Sequence, residues 1–385
     1  MDNAPYVLAP LELAAGYVPG HLPVPPRTRG EGSAPLPALE AALRPALRRP
    51  PCVVGFSGGR DSSALLSVAV RLARREGWDV PVPFSLRFPG MPEADESAWQ
   101  KLVVTHLGLT DWIRHVPGDE VDVLGPVARE SLRSHGLLWP PVVHTKRAEL
   151  RFATGGSYVT GEGGDSVLEA SRLSALRVAL SPRRRVGARR RARAASSVLP
   201  RAPRVGREGM PAEVRRGWLR PPAHRWYENA WKADEGVLAG SPKADLRRLL
   251  RQRSLVLAFR NLDHVAAAED VQCVHPLLDT AFVEAVGSAF GPLGITSRTA
   301  AMRTLFGELL PDSVLARGDK AHFNRAHFGV HARAFAKQWD GSGVDARLVD
   351  PLALAEDWRG PEPHGGTYQL LQAAWLAAQQ GSGET

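Results

Sequence analysis

Cysteine is almost absent: the chain of 385 residues has two, Cys52 and Cys273, and no CxxC pair. That excludes a disulfide framework and a cysteine-rich zinc or iron–sulfur centre, and leaves both thiols as small core residues. Long apolar runs are also missing. No stretch approaches the ~18 residues needed to cross a bilayer, and Asp2 stands where a secretory signal would carry its basic start, so a cytoplasmic address is expected. Lysine is missing from one whole region. Residues 177–220 hold 14 arginines, no lysine and two acids, Glu208 and Glu213. That stretch carries +12 of a chain whose formal net charge is +9, so the rest is net −3. Pro182, Gly187, Pro200, Pro203 and Gly206 interrupt any long helix there, and the composition predicts a solvated, partly disordered insertion, or else a dock for an acidic peptide or partner protein, a lid, or a nucleic-acid contact. No internal repeat points to a solenoid. A 44% hydrophobic content with 23% charged residues gives a globular core in one large domain or two.

What is present is a short apolar strand, residues 53–56, running into Ser57-Gly58-Gly59-Arg60-Asp61-Ser62 and then into an amphipathic helix, residues 62–75. Two glycines let successive backbone N–H groups turn into one concave anion nest, and the positive end of the helix adds to it. Asp61 adds an anionic oxygen that can hold Mg²⁺, and the hydroxyls of Ser57 and Ser62 can donate to phosphate oxygens. The string lacks the spacer and the Gly-Lys-Ser/Thr ending of a Walker A loop. Strand, helix, strand alternation continues through strands at 80–86, 112–116 and 157–160 and helices at 93–107 and 121–135. The last strand ends in a second acidic glycine loop, Gly161-Glu162-Gly163-Gly164-Asp165-Ser166. Such alternation predicts an α/β fold, a parallel sheet flanked by helices with both loops at its C-terminal edge. A helical C-terminal part follows, with helices at 245–267, 280–290, 299–310 and 367–379. Asp279 is placed to cap the helix that starts at Thr280. His327 and His331 are an i, i+4 pair, but no carboxylate or cysteine completes a metal set at familiar spacing.

The first loop resembles the PP-loop of the ATP pyrophosphatases. Four further strings follow in order: Phe88-Pro89-Gly90 with Asp95-Glu96-Ser97-Ala98, Gly161-Glu162-Gly163-Gly164-Asp165, His275-Pro276-Leu277-Leu278-Asp279, and Leu310-Pro311 with Arg317-Gly318-Asp319-Lys320. Together they resemble the asparagine synthetase C-terminal family over residues 36–340. The resemblance implies an ATP-dependent, AMP-forming amide ligase with ATP and Mg²⁺ as cofactors. It implies that Phe56, Ser57, Gly58, Gly59, Asp61, Ser62, Ser85 and Gly161 bind the nucleotide and that Asp61 and Asp165 hold the metal. Glu162 then serves as general base toward the attacking amine, and Lys320 neutralises charge during acyl transfer.

Departures from the family pattern bear on the substrate. Residue 2 is Asp where a glutaminase nucleophile would be a cysteine, and the extension at 1–48 is too short for a glutamine-hydrolysing domain, so the expected nucleophile is a substrate amine. Gln272 and Val274 replace the Glu-x-Arg of aspartate-specific relatives, and Thr299 replaces a lysine, with Arg298 beside it. These changes resemble the branch with lasso peptide macrolactam synthetases and β-lactam synthetase. The expected organisation is an extension (1–48), a PP-loop ATP-binding core (49–175), an Arg-rich insertion (176–222) and a mainly helical remainder (223–385). The expected substrates are a peptide or amino-acid-derived carboxylate and an amine, with a leader peptide or partner protein on the insertion, and neither membrane nor nucleic acid as partner. The alternatives are an ammonia-dependent asparagine synthetase, a tRNA-modifying PP-loop ligase and a non-catalytic partner protein.

Overall fold

A computed structural model describes residues 7–23, 34–171, 214–236, 240–318 and 324–381. Most of the Arg-rich stretch lies outside the described residues, and so does Lys320. Five strands form one sheet: β1 Cys52–Gly55, β2 Val82–Leu86, β3 Ile113–His115, β4 Ser157–Val159 and β5 Gln272–Val274. All pairings are parallel, in the order β3-β2-β1-β4-β5. The expected α/β architecture is therefore the one the chain adopts, with helices on both faces and a mainly helical C-terminal part. The helices used below are α1 Pro35–Leu47, α2 Arg60–Glu76, α3 Ser97–His106, α4 Arg253–Ala268, α5 Thr280–Ala289, α6 Arg298–Phe306 and α7 Tyr368–Gly381.

Burial on both faces explains why the strands read as apolar runs and not as an alternation of apolar and polar residues. Cys52, Val54 and Val159 face a cluster built with Leu39 and Leu43 of α1, Leu65, Leu66 and Leu72 of α2, and Phe282 and Val286 of α5. Val53, Phe84 and Tyr158 face the other side, against Leu262, Val265 and Ala266 of α4. Each of these large side chains contributes about 1.5–3 kcal/mol when fully buried. A second core gathers Tyr227, Phe328, Trp358, Leu371 and Trp375 with Ala14 and Ala15 from the N-terminal arm. Burial pushes the Cys52 thiol up to about 11 and the Cys273 thiol up to about 12, so both are inert packing groups.

Three local expectations are revised. The helix expected over 245–267 is two helices, Pro242–Leu249 and α4. Between them the main chain takes other partners: Leu22 N donates to Arg251 O at 2.8 Å, and Arg253 N donates to Gly20 O at 3.0 Å. The helix expected over 121–135 covers only Pro126–His135. The buried Asp122 carboxylate accepts from the main-chain N–H groups of Leu124, His331 and Ala332, which holds the preceding residues as a loop, and Pro126 suits a first helical position. Strand β5 was not anticipated at all. In agreement with expectation, Asp279 Oδ1 accepts from Ala281 N at 2.9 Å and Phe282 N at 3.1 Å and so caps α5.

Candidate active site

The strand order reverses between β1 and β4: the chain moves from β1 outward through β2 and β3, then returns to the other side of β1. In open parallel sheets the crevice at the C-terminal ends of two such strands receives the ligand. Both glycine loops open there, one after β1 and the other after β4. Their backbones touch. A Cβ on Gly164 would lie 2.4 Å from Asp61 Cγ, and one on Gly161 would lie 3.3 Å from Ser62 Cα, so glycine at these positions is what allows the approach.

The first loop is tied down from behind. Gly58 has φ +87°, a left-handed conformation that favours glycine. Gln100 of α3 donates to Ser57 O at 3.1 Å, and Arg317 donates to Gly58 O at 3.2 Å. Arg317 also forms a buried bidentate pair with Glu96, with a second N–H to Oε1 at 2.6 Å, and lies over the Trp99 ring at 4.9 Å. With its carbonyls engaged on that side, the loop is held above the first turn of α2. The initial N–H groups of that turn have no acceptor within the helix. Ser57 Oγ and Ser62 Oγ stand 3.1 Å apart beside them.

Phe56 and Ser85 lie beneath the loop. The Phe56 ring is buried, its N–H donates to Phe84 O at 2.7 Å, and the Ser85 hydroxyl donates to Phe56 O at 2.6 Å while accepting from Trp112 Nε1 at 3.0 Å. A cavity of about 530 Å³ opens at the ends of β2 and β3, lined in part by Arg87, Phe88, Gly90, Arg114 and Val116.

Asp61 and Asp165 are brought together, and Arg298, the first residue of α6, binds both: Nη2 donates to Asp61 Oδ2, and Nη1 pairs with Asp165 Oδ1. Burial and the neighbouring Asp165 carboxylate raise the Asp61 pKa, while Arg298 opposes the rise. Asp61 Oδ1 is buried and has no hydrogen-bond partner. Two hard carboxylates with one such oxygen fit Mg²⁺, which takes one or two protein carboxylates and completes its shell from phosphate and water. Among the described residues no three His, Cys, Asp or Glu side chains form a metal cage. His327 Nδ1 meets Val121 O at 3.1 Å and His331 Nε2 meets Asp119 Oδ2 at 2.6 Å, so these two histidines have separate partners.

Glu162 is exposed at the rim of the second loop. Near it stands a group the sequence reading did not single out. Lys146 Nζ donates to Glu149 Oε1 at 2.8 Å, and the buried Tyr158 hydroxyl donates to Glu149 Oε2 at 2.7 Å. Burial acts to lower the Lys146 pKa, but the Glu149 and Glu162 carboxylates raise it, and the residue stays an ammonium. The same two carboxylates, added to burial, push the Tyr158 phenol well above its ordinary value. Nothing in the sequence singles out Lys146, which ends the 3₁₀ helix Pro141–Lys146. Thr160 Oγ1 and His275 Nδ1 stand 2.7 Å apart, which joins the end of β4 to the Pro276 corner.

The structure thus brings Ser57, Gly58, Gly59, Asp61, Ser62, Gly161 and Asp165 into one crevice. It sets Phe56 and Ser85 below that crevice and Glu162, whose charge acts on Lys146, at its rim. No curated protein sequence matches the chain. The model of the asparagine synthase family matches residues 37–379, nearly the whole chain, and the protein therefore belongs to this family of ATP-dependent ligases.

Proposed function

We propose that the protein is an AMP-forming, Mg²⁺-dependent amide synthetase that adenylates a carboxylate and transfers the acyl group to an amine, acting in the maturation of a peptide or specialised metabolite in the cytoplasm. The observation that carries this reading is the meeting of the two glycine loops at the strand-order reversal. It sets the acid pair Asp61 and Asp165 against a phosphate-binding helix start, with Glu162 and Lys146 alongside.

In this reading the loop N–H groups and the two serine hydroxyls hold the polyphosphate, and the cavity at the ends of β2 and β3 takes the nucleoside. Asp61 and Asp165 would hold Mg²⁺, which when bound would supply positive charge to the pyrophosphate oxygens. A substrate carboxylate oxygen attacks the α-phosphorus, the bond to the β-phosphate oxygen breaks, and pyrophosphate leaves. The amine nitrogen then attacks the acyl carbon, the carbon–oxygen bond to AMP breaks, and the amine proton passes to Glu162. Lys320, outside the described residues, supplies positive charge for the oxyanion formed as the amine adds, and Lys146 acts on the Glu162 carboxylate. Gln272 and Val274, on β5, leave the neighbouring strand end without the fixed charges suited to free aspartate, which supports a larger, peptide-like acyl donor and a ring-closing amine in the same molecule. The charge of residues 177–220 supports a dock for an acidic leader peptide or partner protein.

Pyrophosphate and AMP release should be screened with free aspartate plus ammonia, with amino-acid-derived acids, and with peptides that carry both a carboxylate and an amine. Release that depends on a peptide substrate is the expected result. Full turnover with aspartate and ammonia alone would replace this reading by asparagine synthesis, and no release with any carboxylate would remove the catalytic reading.

A further inference from the structure

The guanidinium of Arg298 stands where the acid pair would hold its metal. One N–H group meets an Asp61 oxygen and the other an Asp165 oxygen, so a single planar fork spans both carboxylates. The side chains of Arg298 and Asp61 are 16% and 14% exposed and that of Asp165 is 45% exposed, so water screens the Asp61 contact more weakly than the Asp165 contact. A second guanidinium lies close by. Arg60 donates to Thr299 Oγ1 at 3.3 Å, next to Arg298 in sequence, and is acted on by the charges of Arg298, Asp61 and Asp165.

The carboxylate of Glu169 acts on Arg60 as well. A bare divalent cation would bring two further positive charges beside the Arg298 guanidinium and would share with it the two carboxylates it spans. A divalent cation that arrives with a triphosphate brings negative charge with it, and its phosphate oxygens offer Arg298 new acceptors. The exchange can be made by the side chain alone, because the start of α6 is fixed by the Ser297 cap, whose Oγ accepts from Ala300 N at 3.1 Å. The resting contacts are also incomplete: Asp61 Oδ1 and Arg298 Nε are buried and have no hydrogen-bond partner.

We propose that Arg298 is a built-in competitor for the metal site, which makes binding of a divalent cation at Asp61 and Asp165 conditional on the nucleotide. The proposal rests on the assignment of these two acids as the metal-holding pair. It differs from a purely structural ion pair in one respect: removing the arginine should improve a binding property.

The test uses Mn²⁺ as probe, its free concentration read from the electron paramagnetic resonance signal, with the full chain and no nucleotide. Arg298→Ala should bind Mn²⁺ about tenfold tighter than the unaltered protein. Arg298→Lys, whose single ammonium cannot span both acids in the same way, should fall between them, and it keeps the test open should the alanine variant fold poorly. Adding Asp61→Asn to Arg298→Ala should abolish the gain, which places the metal at this pair. Adding ATP should tighten Mn²⁺ binding more in the unaltered protein than in Arg298→Ala. Nucleotide-free Mn²⁺ affinity that is unchanged or weaker in both Arg298 variants, with thermal unfolding intact, overturns the competition. If the unaltered protein fails to bind Mn²⁺ with ATP while Arg298→Ala still gains metal affinity, the nucleotide-using function fails and the competition stands. If it binds both together and neither variant gains, only the competition fails.

Discussion

Lys146 and Glu162 are 16 positions apart in sequence, and the end of β4 puts one in the field of the other. An ammonium has three N–H donors, and Glu149 takes one of those on Lys146 at 2.8 Å. Glu149 cannot shift readily, since its second oxygen is held by the Tyr158 hydroxyl under β1, where a Cβ on Gly55 would lie 2.7 Å from that hydroxyl. The ammonium is thus anchored on one side and acts on Glu162 on the other. In the proposed reaction Lys146 positions the carboxylate that receives the amine proton, so its removal should harm acyl transfer more than adenylation. Lys146→Met should slow amide formation by up to about 10²-fold, the scale of a misplaced catalytic group, while substrate-dependent pyrophosphate release stays within a few-fold. Lys146→Arg should recover part of the loss. Measuring amide product and pyrophosphate in the same reaction separates the two steps, and an equal fall in both would assign Lys146 to adenylation.

Among elements, the first glycine loop shows how a conformation and a contact can be told apart. Gly58 and Gly155 both have positive φ, +87° and +79°, so alanine at either costs about 1–2 kcal/mol in backbone strain. At Gly155 an added Cβ meets nothing within 4 Å, whereas at Gly58 it would lie 2.9 Å from Gln100 Cγ. Gln100 is the side chain that holds Ser57 O, so displacing it loosens the loop. Both alanine variants should lose similar stability in urea denaturation, and only Gly58→Ala should also lose affinity for ATP, measured by calorimetry; equal ATP affinity in the two would show that Gln100 does not shape the loop. This loop was legible in the sequence because its chemistry is local: a strand end, two glycines, an acid and a helix start are consecutive. Asp165 was legible for the same reason, as a second glycine loop after a second apolar strand. Arg298 and Lys146 were not, because their roles arise from contacts that no spacing encodes; Arg298 meets Asp61 across 237 residues. The break in the helix expected over 245–267 has a similar origin. Its residues have helical periodicity, but the main chain at 251–253 finds partners in residues 20–22 of the N-terminal arm. Strand β5 escaped notice because three half-buried residues leave too short a pattern to read.

On the scale of the whole molecule, one buried ion pair joins the α/β core to the C-terminal part beneath the crevice between the two glycine loops. Glu96, which precedes α3, and Arg317, which follows α6, are 221 residues apart, and their side chains are 5% and 4% exposed. Bringing two charges out of water is costly, and such a pair is stable only if both partners stay matched. Arg317 also donates to Gly58 O, so the pair connects the packing of the two parts to the shape of the phosphate loop. Arg317→Met removes the bidentate partner of the buried Glu96 and should cost about 3–5 kcal/mol, with weaker ATP binding because Gly58 O loses the Arg317 N–H. Combining it with Glu96→Gln removes the buried carboxylate charge and should return a large part of the stability but not the ATP affinity, since the Arg317 donor to the loop is still missing. Denaturant midpoints for the two single variants and the double variant, read beside ATP affinity, separate these contributions. If the double variant lost the sum of the two single losses, the pair would not be energetically coupled. If its ATP affinity recovered with its stability, Arg317 would act on the loop only through the fold.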